Sequence, residues 1–138
     1  MLLSRLLMAL SSGIVLLFGA MHLLYTFHGP KLLPRDPAVR LAMEQTSPVI
    51  TRETTIWQAW LGFNATHSIA LILFGLVFGF LGVWESQLLF DSTYLLVVGF
   101  VVLAAFLVLS RLYFFSVPLM GVSIALVCYV ASIVAARL

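Results

Sequence analysis

The sequence predicts an all-α membrane protein: an antiparallel bundle of four transmembrane helices with a short amphipathic interfacial helix in the first link. Three observations carry that expectation. Of 138 residues, 63% are hydrophobic and only 9% charged, whereas soluble domains lie nearer half apolar and a quarter charged. A soluble fold of this size could not bury so much apolar surface, so lipid must solvate much of it. Finally, apolar stretches long enough to span a bilayer recur four times, and only one substantial polar segment, residues 28–56, separates any of them. One domain, residues 1–138, is expected at this length.

The first span is expected over residues 6–27. It is too long for the apolar core of a signal peptide, and no small-residue cleavage site follows it. His28-Gly29-Pro30 stops it, because proline cannot continue a helix and glycine suits its C-terminal cap. Asp36-Pro37 then reads as an N-cap followed by a first-turn proline. Val39, Arg40, Leu41, Met43 and Glu44 make a short amphipathic helix suited to the interface, and Thr46-Ser47-Pro48 ends it. The second span is expected over residues 55–84. At about 1.5 Å per residue it exceeds a hydrocarbon core of about 30 Å, so it must protrude or tilt. Trp57 and Trp60 at one end and Trp84 at the other have the character of interfacial anchors.

Residues 85–92 read as a short polar link. The third span is expected over residues 93–115. Ser116-Val117-Pro118 turns the chain into the fourth, over residues 117–136, with Pro118 in its first turn. Short links make successive helices antiparallel neighbours. Lys31, Arg35, Arg40, Arg52 and Arg111 fall on one side of the membrane, and Arg5 and Arg137 on the other. That asymmetry places the first link in the cytoplasm. The net charge of +2 offers nothing for nucleic acid, and the lone Cys128 excludes an intrachain disulfide.

Polar groups inside spans carry the functional information, because burying them in lipid costs free energy. At about 100° per residue, Trp57, Trp60, Asn64, His67, Ser68, Gly75 and Gly79 share one face of the second helix. Gly75-x-x-x-Gly79 permits close helix packing. On the first helix Ser11, Val15, Phe18, His22, Tyr25 and Thr26 align. Counted from the helix ends, His22 and His67 fall at similar depth. Arg111 lies about one turn from the end of the third helix on the same side. His22, Asn64, His67, Ser68 and Arg111 are therefore the expected ligand-binding residues.

Two histidines on antiparallel helices could ligate a haem. A protein-held metal ion would need more ligands at that depth, and none is available. No Asp or Glu lies inside a span, which speaks against proton-coupled export.

The segment Trp57-Gln-Ala-Trp60-Leu-Gly-Phe-Asn64-Ala-Thr-His67-Ser68 resembles a motif of a family of small, uncharacterised bacterial four-helix membrane proteins. That family has a His-Leu pair near the end of its first helix, matched here by His22-Leu23, followed by a proline-containing polar link. The likeness covers the first two helices and their link. It implies architecture and a bacterial inner-membrane location, and no activity. The intramembrane glutamate of small multidrug transporters is missing here, as is the Arg- and Asn-x-x-Glu-type signature of glutathione-dependent membrane enzymes.

Three roles fit these features. The first is binding of a small amphiphile (a lipid or quinone) or a prosthetic group in a polar cavity near one membrane face. The second is a structural subunit of a larger membrane complex or homo-oligomer, with the polar layer fixing the bundle. The third is an enzyme acting on a lipid-like substrate, with His67 as acid–base and Arg111 holding an anionic group.

Overall fold

The computed structural model describes residues 1–138, and every regular element in it is helical. In chain order these are α1 (Leu2–Phe27), α2 (Pro37–Gln45), α3 (Ile56–Val83), α4 (Ser86–Asp91), α5 (Thr93–Tyr113) and α6 (Ser116–Arg137). Four of them, α1, α3, α5 and α6, are long and apolar enough to cross a membrane. The 28 residues of α3 rise about 42 Å, more than the hydrocarbon core of about 30 Å.

Local chemistry explains where each helix begins and ends. The chain leaves α1 through Gly29, whose φ of +82° is a left-handed cap conformation that costs a Cβ-bearing residue more. The Asp36 side chain accepts from the Ala38 amide at 2.8 Å, and Pro37 opens α2. At the head of α3, Thr55 Oγ1 accepts from the Gln58 amide at 3.2 Å while Gln58 Oε1 accepts from the Thr55 amide at 3.3 Å. This reciprocal capping box explains why the helix proper starts at Ile56. The Ile56 amide also donates to the Thr46 carbonyl at 2.8 Å, tying the end of α2 to the start of α3. Ser92 caps α5 by accepting from the Leu95 amide at 3.3 Å.

The first helix begins at Leu2, four residues before the expected start at residue 6, and two further places differ from expectation. The link over residues 85–92 contains a helix, α4, that buries Ser86, Leu89 and Phe90. Burial of the apolar pair is what holds so short a helix in place. The third helix ends at Tyr113, because Phe114 and Phe115 are extended on the way into α6.

The chain forms two compact units. One comprises Met1–Phe18 of α1 together with Leu71–Leu138. Its core is Met8, Val15, Leu71, Phe74, Phe78, Leu89, Phe90, Leu96, Leu103, Ala125 and Tyr129. Tyr129 is fully buried, donates to the Leu96 carbonyl at 3.0 Å, and meets Phe78 edge-on at 5.9 Å between centroids. Ser11 donates from α1 to the Ala125 carbonyl of α6 at 2.7 Å. Around this core Leu6, Leu10, Leu17, Leu73, Leu76, Phe80, Val97, Val101, Val108, Val127 and Val134 are each more than half exposed. An apolar girdle on all four long helices is what a lipid-solvated surface requires. The protein is an integral membrane protein.

The other unit, Gly19–Ala70, holds the end of α1, the first link with α2, and the first half of α3.

Candidate functional site

Gly19–Ala70 contains a polar cluster built by α1 and α3. His22 Nε2 lies 2.9 Å from Asn64 Oδ1. The amide orientation is fixed independently, because Asn64 Nδ2 donates to the Trp60 carbonyl at 2.8 Å. With Oδ1 as the acceptor, His22 must donate through Nε2, which leaves its Nδ1 as the acceptor nitrogen. His67, one turn beyond Asn64, sets its ring against that of His22, with centroids 5.2 Å apart and planes 79° apart. His22, Asn64 and His67 thus form one contiguous group.

The neighbouring hydroxyls serve their own helices. Thr26 Oγ1 donates to the His22 carbonyl and Ser68 Oγ to the Asn64 carbonyl, each at 2.8 Å. Such bonds to the preceding turn satisfy a hydroxyl locally. Ser68 is fully buried, so it supports the backbone under Asn64. Arg111 belongs to the other unit and lies exposed in the last turn of α5. A cation there complements the helix C-terminus.

Beside the cluster is a small recess of about 10 Å³, lined by Tyr25, Thr26, Leu32, Leu33, Trp57, Trp60, Leu61 and Asn64. Asn64 is the residue common to the recess and the histidine pair. Two walls carry cations: Lys31 Nζ is 3.9 Å from the Tyr25 ring centroid, and the Arg40 guanidinium is 4.9 Å from that of Trp57. Arg40 also pairs with Glu44 at 2.9 Å. Leu32 and Leu33 escape sequence reasoning, because nothing in their pattern says that the link folds back. The prolines at 30 and 34 that bracket them are the nearest signal.

The arrangement limits the chemistry. Axial haem ligation would require a macrocycle between the two imidazoles. Rings in edge contact at 5.2 Å leave no such gap. At about 10 Å³ the recess is far smaller than the roughly 300–1,000 Å³ typical of small-molecule pockets. It has room for about one water molecule or the tip of a polar group.

Comparison with known proteins gives no match to a family model, to a curated protein or to a solved structure.

Proposed function

We propose that the protein binds a small amphiphile, such as a lipid or quinone, by its polar head at one membrane face. The observation that carries this reading is the position of Asn64, which joins the aromatic-walled recess to the His22–His67 pair. The Asn64 amide retains unused hydrogen-bonding capacity, since Oδ1 accepts from His22 and Nδ2 gives one of its two protons to Trp60. A head group entering between Tyr25, Trp57 and Trp60 would meet that amide first. Its apolar remainder would lie along the lipid-facing surface, where Trp60 and Phe63 are 41% and 74% exposed. A recess of about 10 Å³ cannot enclose a molecule, so only the polar tip of a head group would reach the amide. The likeness of the Trp57–Ser68 segment to small bacterial membrane proteins is in keeping with a bacterial inner membrane.

One observation favours a second reading, a structural subunit in which the cluster fixes the bundle. No fully buried side-chain nitrogen or oxygen lacks a hydrogen-bond partner, and His22 and Asn64 already bond each other across the helix pair without a ligand. Asn64→Leu separates the two. It keeps the branched shape and removes the amide, and extraction of the purified protein followed by mass spectrometry reads what remains bound. The binding reading expects wild type to carry a stoichiometric amphiphile that Asn64→Leu loses while remaining folded. Identical extracts from both proteins would remove it.

A further inference from the structure

In the unit formed by residues 1–18 and 71–138, two arginines from distant parts of the chain converge on α4. Arg5, in the first turns of α1, donates through Nε to Ser86 Oγ at 2.9 Å. Arg137, the last residue of α6, donates through Nη2 to the Phe90 carbonyl at 3.2 Å. Ser86 and Phe90 are four residues apart on α4, about 6 Å along its axis and on one face. Both acceptors belong to buried residues, 1% and 5% exposed, whereas both arginines are exposed.

Each guanidinium is therefore held by one nitrogen, Arg5 at its base through Nε and Arg137 through the terminal Nη2. Arg5 keeps both terminal nitrogens free, and Arg137 keeps Nε and Nη1. An exposed arginine at a membrane surface ordinarily moves freely, and binding must then overcome its rotamer entropy. Here that freedom is already restricted by bonds to a packed helix.

Charge balance does not supply an internal partner. Glu85 precedes α4 and Asp91 ends it, and both are exposed, but the ion pair in this chain is Arg40–Glu44, in the other unit. Two like charges tethered to residues four apart on α4, neither in an ion pair with a carboxylate, favour an anion within reach of both. Phosphate suits them, since its oxygens accept from two guanidinium forks together. The depth is appropriate too. Arg5 and Arg137 stand at the ends of spanning helices, where headgroup phosphates lie. Trp84, 70% exposed beside α4 and stacked on Phe80, has the character of an interfacial anchor.

We propose that Arg5 and Arg137, pinned to α4, bind the phosphate group of a membrane-lipid headgroup. This site is separate from Asn64, and its test does not depend on the function proposed above. Detergent-purified full-length protein is titrated with phosphatidylglycerol, and separately with diacylglycerol of the same acyl chains, following thermal stability and lipids retained in native mass spectrometry. Phosphatidylglycerol is expected to raise the melting temperature and remain bound, and diacylglycerol to do neither. Arg5→Gln/Arg137→Gln should weaken the apparent affinity about tenfold or more, the effect of losing charged hydrogen bonds. Arg52→Gln, an exposed arginine of the first link, should leave it unchanged. If the double variant does not fold, Arg5→Lys and Arg137→Lys retain charge but lose the planar fork, and each should still weaken phosphatidylglycerol binding. Equal response to the two lipids, or equal affinity in wild type and the variants, would overturn the proposal. Saturation by inorganic phosphate alone, lost in the double variant, would assign the site to a soluble anion and overturn the lipid.

Discussion

Adding one methyl group at three glycines of α3 should give three different outcomes. At Gly75 an added Cβ would lie 2.6 Å from Leu16 Cβ, 2.8 Å from the Ser12 carbonyl oxygen and 2.9 Å from Leu16 Cα. Two of those atoms are α1 backbone, so relief requires the helices to part. Overpacking of this kind costs about 1–3 kcal/mol. Replacing glycine by alanine in a helix returns up to about 1 kcal/mol, so Gly75→Ala should be destabilised by about 1–2 kcal/mol net. At Gly79 the nearest atom is Ser12 Oγ at 3.2 Å. A small displacement of that hydroxyl relieves the contact, and Gly79→Ala should stay within about 0.5 kcal/mol of wild type. Gly62 has nothing within 4 Å, so Gly62→Ala should gain up to about 1 kcal/mol. Equilibrium unfolding of the three variants in one detergent measures the order. Gly75→Ala as stable as Gly79→Ala would refute the close approach of α1 to α3 at that turn.

The polar cluster and the topology offer further tests. His67→Ala should lower stability by roughly 1 kcal/mol if the ring only joins helices, and should also strip bound amphiphile if the cluster serves a ligand, both readable on one purified sample. Tyr129→Phe should cost about 0.6–1.7 kcal/mol, the range for membrane hydrogen bonds, because it removes the bond to the Leu96 carbonyl; no loss in unfolding measurements would mean that this carbonyl finds another partner. Single cysteines at Arg40 and Leu138, in a Cys128→Ser background, should be labelled from opposite sides of the membrane, with Arg40 cytoplasmic. Labelling from the same side would exclude the three spans, α3, α5 and α6, that lie between them.

Much of the fold was legible because membrane helices are specified by length and composition, and their ends by a few residues. Gly29, Asp36-Pro37 and Ser92 mark boundaries that the hydrogen bonds and backbone angles of the structure realise. Thr55 was harder to place as a cap, since Thr51 and Thr54 offer the same hydroxyl. Only the Gln58 side chain three residues on distinguishes it. The helix α4 was missed because six residues give no periodicity to read; its existence depends on what Leu89 and Phe90 meet in the folded chain. The meeting of His22 with Asn64 and His67 could be anticipated from depth along two antiparallel helices. The recess beside them could not, since Leu32 and Leu33 reach it through the path of the link.

The treatment of polar side chains within the spans gives the His22–Asn64–His67 group its significance. Ser12, Thr26, Thr66, Ser68, Ser123 and Ser132 each donate to a carbonyl three or four residues back on their own helix. A hydroxyl satisfied in that way makes no demand on a partner helix and can be tolerated almost anywhere in a span. Imidazoles cannot reach their own backbone so readily and must find partners elsewhere or remain costly in lipid. Here His22 reaches Asn64 across the helix pair, and Asn64 is itself oriented by Trp60. Packing alone could have been served by another serine or glycine. Asn64, which also lines the recess, keeps one amide proton beyond its bond to Trp60, and that spare donor is what the proposed binding would use and a helix contact alone would not.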